Sequence, residues 1–195
     1  MKGIICFILD KMVQKSIIDA KEKEIYSFGL RRIIISGGNY LVMIFIGILL
    51  CSPVNMVVYL LSFVPLRVLG GGIHADSEKT CFFASTVLSI MVLVILKYKM
   101  ISEDTMVILT AMINLYLWKN APVNCTEDKI SKTEYLLFRE RFRTVLFFEM
   151  LVMIIFFIAG RSDISYVIMV ATVMEGILIA IGKWFQGKNK DACII

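Results

Sequence analysis

The run IIISGGNYLVMIFIGILLC (Ile33–Cys51) contains no charged residue. At about 1.5 Å of rise per residue, a helix over this run is nearly 30 Å long, roughly the hydrocarbon thickness of a bilayer. It therefore reads as a membrane-spanning helix, and the rest of the chain is read in that frame. Ser52-Pro53 breaks the run, and a second apolar stretch extends from Val54 to Leu69. Further stretches cover Cys81–Leu96, Thr105–Trp118, Thr144–Gly160 and Ile164–Gly182. The fourth is short by the bilayer rule, and the last two each enclose one acid, Glu149 and Glu175. The expected fold is an all-α polytopic membrane protein with about six transmembrane helices.

Composition supports this reading. Of 195 residues, 58% are hydrophobic and 19% charged, with a mean hydropathy of +0.80, whereas soluble domains average about 45–50% apolar. Too few charges remain to cover a soluble globule, which disfavours a nucleic-acid binder, a disordered regulator or a secreted disulfide scaffold. The net charge of +5 reflects position rather than a polyanionic partner. With the N-terminus in the cytoplasm, 18 of the 21 basic residues fall on the cytoplasmic side, and only Lys97, Lys99 and Arg161 fall outside. Positive charge concentrates on the inner face of membrane proteins, so both termini are expected in the cytoplasm of a bacterial cell, with the chain multi-pass in the plasma membrane.

Residues 1–32 do not read as a signal peptide, because Asp10-Lys11 interrupts the apolar stretch and no small-residue cleavage site comes after it. Ile5, Ile8, Leu9, Met12, Val13, Ile17 and Ala20 recur at three- and four-residue spacing, opposite Asp10, Lys11, Gln14 and Lys15. That pattern predicts an amphipathic interfacial helix, lying on the inner leaflet or against a partner helix.

Five cysteines without a CxxC pair give neither a disulfide framework nor a zinc pattern, and a single histidine excludes a His-rich metal site. No metal and no cofactor is expected. His74 is the one side chain whose ordinary pKa suits a general base at neutral pH. It lies in the loop Arg67-Val-Leu-Gly70-Gly71-Gly72-Ile73-His74-Ala75-Asp76-Ser77-Glu78-Lys79-Thr80-Cys81, the densest cluster of reactive residue types in the chain. Three adjacent glycines allow backbone angles and close approaches closed to other residues, and can aim N–H groups at a developing oxyanion. The plainer reading of the triplet is a flexible turn. His74 and Cys81 are seven apart, so on one straight helix they stand about 10 Å apart along the axis; a catalytic pair requires the chain to turn between them. Asp76 or Ser77 suits the N-cap of the third span. Cys81 then sits in its first turns, where the helix dipole and a nearby imidazole stabilise a thiolate.

The pattern Arg67-x-x-Gly70-Gly71-Gly72-x-His74-Ala75, followed by Cys81, resembles the signature of the accessory gene regulator B (AgrB) family of bacterial membrane peptidases. A second stretch, Trp118-Lys-Asn-Ala121-Pro122-Val123, followed by Lys129-Ile130 and an Arg/Glu-rich helix to Arg143, is similar to that family's cytoplasmic loop. The resemblance spans essentially the whole chain. One departure is that Glu127-Asp128-Lys129-Ile130 stands where the family usually has an Asn-Lys-Pro-Ile-like stretch.

The resemblance implies a cysteine endopeptidase that trims a small, AgrD-like pro-peptide and promotes its cyclisation to a thiolactone or lactone pheromone for quorum sensing. It places the nucleophile at Cys81, the base at His74, and required residues at Arg67 and Gly72. Gly70, Gly71 and Lys129 join these as oxyanion or substrate-binding candidates. The spans and charge placement give a transmembrane peptidase domain over 33–182 with cytoplasmic loops over 70–80 and 119–143 and a cytoplasmic tail over 183–195, the composition gives no nucleic-acid partner, and the resemblance implies a homodimer in lipid. Arg67 has two readings, a ligand for substrate carboxylate or oxyanion and an interfacial anchor. Glu149 and Glu175 are candidates because an acid inside a span is costly unless paired or neutralised; bridging helices is the alternative. The competing function is a non-enzymatic transporter subunit or peptide-binding scaffold, to which a glycine loop and an intramembrane acid are also suited.

Overall fold

The computed structural model describes residues 2–15, 18–19, 22–50, 52–71, 78–123 and 132–188. Among these the fold is all-α, in seven helices: α1 (Lys2–Gln14), α2 (Lys23–Leu49), α3 (Pro53–Gly70), α4 (Glu78–Tyr98), α5 (Glu103–Asn120), α6 (Lys132–Ile158) and α7 (Ser162–Lys188). Lys23–Leu49, Pro53–Gly70 and Ser162–Trp184 are long and apolar enough to cross a membrane, and Phe82–Tyr98 is a shorter apolar helix. Contacts divide the chain into two compact units, Met1–Val42 and Met43–Ile195, with the division falling inside α2.

In the first unit the amphipathic stripe of α1 is put to use. Ile5 and Leu9 are buried with Ile18, and Met12, Val13 and Leu30 pack against them. The α1 stripe thus closes on the beginning of α2, and a 2.5 Å ion pair from Lys23 to Asp10 braces the same junction. Ile8 lies at the edge of the stripe, partly exposed. Ile17 and Ala20 lie outside the described residues.

The second unit is organised around α7, which packs against α3, α5 and α6. Residues 165–176 are buried without a break, as expected of a helix apolar on all sides. Proline at the first position of α3 needs no N–H donor there, and that helix turns a stripe of Met56, Tyr59, Leu60, Ser62, Leu66 and Gly70 inward. Helix α5 begins at Ser102, whose hydroxyl accepts from the Thr105 N–H, with Glu103 and Asp104 in the first turn complementing the helix dipole. Ile113 of α5 lies directly over Gly176 of α7, where a Cβ would collide with it.

Two helices are longer than the apolar runs that announce them. Helix α2 starts well before Ile33. Helix α6 carries the Arg/Glu-rich stretch and the apolar run as one continuous element. The composition changes along α6, but Lys, Glu, Arg and Leu are all good helix formers and nothing interrupts it.

At one end of this unit the α4–α5 turn is tied to the α6–α7 turn. Lys99 pairs with Glu103 and with Asp163, both at 3.1 Å. The Tyr166 hydroxyl donates to the Ile101 carbonyl at 2.8 Å.

Candidate functional site

The opposite end of the second unit brings together the two stretches singled out in the sequence. Helix α3 ends at Gly70, and Gly71 has φ 71° and ψ −132°, a backbone region open to glycine and strained for any side chain. The Gly70 carbonyl accepts from the Val123 N–H at 2.9 Å, and Gly71 and Val123 form a parallel bridge. The segment after α5 is therefore paired, backbone to backbone, with the segment after α3. Leu66, Leu117, Ala121, Val123, Phe142, Leu146 and Ile179 form a buried cluster beneath it.

Polar side chains brace the junction. Arg143 donates from Nη2 to the Trp118 carbonyl at 3.3 Å, and its guanidinium stacks 4.9 Å from the centre of the Trp118 ring. Lys183 donates from Nζ to Asn120 Oδ1 at 2.6 Å, while Asn120 Nδ2 donates to the Tyr116 carbonyl at 2.9 Å. The C-terminal parts of α5 and α7 and the middle of α6 are thereby joined.

Arg67 stands at the centre. Its main-chain carbonyl accepts from the Gly71 N–H at 3.3 Å, and its Nη1 donates to the Gly71 carbonyl at 2.5 Å. One arginine grips both sides of the Gly71 residue. The same Nη1 lies 3.9 Å from Oε1 of Glu175, whose side chain is fully buried. Gly70 makes room for that carboxylate: a Cβ there would lie 3.0 Å from Glu175 Oε1 and 2.8 Å from Phe142 Cε2. Chemically, this end offers a guanidinium, a glycine at positive φ and a Gly70 carbonyl held by the Val123 N–H.

Of the residues expected at the site, Arg67, Gly70, Gly71 and Glu175 are brought into one cluster. Cys81 lies in the first turn of α4, with its backbone helical; its side chain is outside what the structure describes. Gly72, His74 and Lys129 also lie outside the described residues. Glu149 is on α6, half-buried, and one of its carboxylate oxygens is buried without a hydrogen-bond partner. Among the described residues no group of three His, Cys, Asp or Glu side chains is arranged to hold a metal.

Sequence reasoning did not find the contacts of Asn120 and Lys183. They are 63 residues apart, and no spacing rule links a residue at the end of one helix to one on another. Arg143 was legible only as part of a basic stretch, whereas it acts on Trp118.

Fold and site together define an all-α membrane protein in which the backbone just after α5 pairs with the C-terminus of α3 at one end of the helix bundle. The chain belongs to the accessory gene regulator B (AgrB) family, whose match covers residues 5–179. That family takes part in quorum-sensing peptide processing. No curated protein matches the chain, and no solved structure does.

Proposed function

We propose that this protein is a membrane-embedded cysteine endopeptidase that removes the C-terminal tail of a small AgrD-like pro-peptide and promotes cyclisation of the remainder. The observation that carries the reading is the pairing of Gly70 and Gly71 with Val123, in a chain whose family acts on such peptides. This pairing holds the end of α3 at Gly70 and Gly71, three residues before His74 in the sequence.

Cys81 sits in the first turn of α4, where the positive end of the helix dipole favours a thiolate. In the proposed reaction the Cys81 sulfur attacks the carbonyl at the end of the pheromone region. The C–N bond breaks, His74 passes the thiol proton to the departing amine, and the peptide remains as a thioester. A cysteine thiol within the bound peptide then attacks that thioester. A carbon–sulfur bond forms as the bond to Cys81 breaks, and Cys81 regains its proton as the thiolactone leaves. A serine hydroxyl in the same position gives a lactone. Thioester exchange conserves the activation that hydrolysis would discard, and holding the internal nucleophile near the acyl carbon makes the step effectively unimolecular. A site that excludes water supports cyclisation over hydrolysis.

The reading places the paired end of the bundle at the cytoplasmic face of the plasma membrane, supported by the 18 to 3 division of basic residues. The peptidase domain occupies 33–182, flanked by cytoplasmic segments, and acts as a homodimer in lipid. Gly72 and Lys129 are further substrate-contacting candidates.

The test is co-expression of a pro-peptide having a central cysteine and an acidic tail with wild type, Cys81→Ala and His74→Ala. Processing by wild type and none by either variant, with all three present in the membrane fraction, is the expected result. Processing by membrane-inserted Cys81→Ala would overturn the mechanism, and no processing by wild type would return the chain to a transport or scaffold role.

A further inference from the structure

The Glu175 carboxylate is fully buried on α7, and neither of its oxygens has a hydrogen-bond partner. Among the described residues its one ionic partner is Arg67, at 3.9 Å. A buried carboxylate so poorly satisfied is a poor way to hold helices together. Removing charge from water costs several kcal/mol, and apolar residues of similar volume usually pack as well or better. Its placement has a different consequence. The guanidinium that faces Glu175 is the one that donates to the Gly71 carbonyl, and Gly70 lacks the Cβ that would press on Glu175 Oε1. Three features of one short segment, Arg67, Gly70 and Gly71, are thus arranged around one acid more than a hundred residues away. Tyr59, buried on the same helix as Arg67, lies within electrostatic range of both charges.

We propose that Glu175 is a positioning residue: its carboxylate fixes the Arg67 guanidinium on the Gly71 carbonyl, and so sets the direction in which the glycine segment leaves α3 towards His74 and Cys81. This rests on the cysteine-peptidase reading. Glu175 touches no substrate; it acts through Arg67. Arginine suits this part because its charged planar group is held in a fixed direction, with one nitrogen, Nη1, both donating to the Gly71 carbonyl and facing the carboxylate.

The experiment uses the full-length protein in native membranes, with two readouts. One is processing of a synthetic pro-peptide with an amphipathic N-terminus, a central cysteine and an acidic tail, resolved into kcat and KM. The other needs no substrate: the rate of iodoacetamide alkylation at Cys81, followed by mass spectrometry of the Cys81 peptide. Glu175→Gln keeps the shape and removes the charge. The expected result is a kcat lower by about tenfold or more with KM changed by less than about threefold. Cys81 alkylation falls towards the rate of His74→Ala, because the imidazole no longer meets the thiol.

Arg67→Gln shows the same losses, and the double variant Arg67→Gln/Glu175→Gln is no worse than Arg67→Gln alone, since one residue acts through the other. The double variant leaves no unpaired buried charge, so it keeps the test open if either single variant fails to insert. Additive losses in the double variant, or wild-type kcat and alkylation in an inserted Glu175→Gln protein, overturn the proposal. The two levels fail separately: if Cys81→Ala still processes the peptide the peptidase reading falls, whereas if Cys81→Ala is inactive and Glu175→Gln is not, only the role of Glu175 falls.

Discussion

The two ends of the second unit are held by opposite means. At the Lys99 end, ion pairs of 3.1 Å join groups that are largely in water: the Lys99 side chain is 49% exposed and that of Asp163 is 77% exposed. Such pairs contribute about 0.2–1 kcal/mol each and are weakened by salt. At the Arg67 end the ion pair is longer, one partner is fully buried, and two backbone segments are paired across it. The first end has good geometry and little at stake. At the second, an error in one group passes directly to the backbone of Gly71. A bundle that only had to stand up would place its buried acid and its positive-φ glycine elsewhere.

If this contrast is right, substitutions at the two ends differ in kind. The largest effect is expected from Gly71→Val. With φ at 71° a branched side chain costs about 1–3 kcal/mol in backbone strain, and processing should fall by about a hundredfold. Next comes Val123→Pro, which deletes the N–H given to the Gly70 carbonyl. An unsatisfied buried carbonyl costs about 1–3 kcal/mol, and processing should drop by about tenfold while helical circular dichroism stays within error of wild type. Lys183→Ala, which releases Asn120, should reduce processing by only a few-fold.

The smallest effect belongs to Lys99→Ala: less than about 1 kcal/mol of stability and no change in processing rate. Hydrogen bonds to Glu103, then to Asp163, hold the Lys99 ammonium above its ordinary pKa. Its small contribution is therefore complete below about pH 10.5 and is lost as pH rises through the raised value. A Lys99→Ala protein that lost activity while a Gly71→Val protein kept it would reverse the comparison.

Much of the architecture could be read from the chain because charge is scarce in it. The uncharged run Ile33–Cys51 and the break at Ser52-Pro53 lead directly to α2 and α3, and the spacing of Ile5, Leu9 and Met12 leads to the packed face of α1. Lateral arrangement was not legible. On α7 every side is apolar, so the residues that meet α3, α5 and α6 carry no signature distinguishing them from residues that would meet lipid. For the same reason Glu175 stood out as an acid in the wrong medium, while its approach to Arg67 and Gly70 had no trace in spacing. The pairing of Gly70 with Val123 is a backbone contact, and backbone contacts leave least in a sequence. Helix α6 runs unbroken from the Arg/Glu-rich stretch into the apolar run, because a change from charged to apolar composition does not by itself interrupt a helix.

The central claim is that the peptide passes through Cys81. The most direct measurement is mass spectrometry of the wild-type protein, acid-quenched during turnover of a pro-peptide whose internal cysteine is replaced by alanine, so that cyclisation is blocked. The expected result is a peptide adduct on Cys81 that hydroxylamine removes and that is absent from Cys81→Ala. Release of the tail throughout the time course with no adduct on Cys81, or with the adduct on another residue, would contradict it.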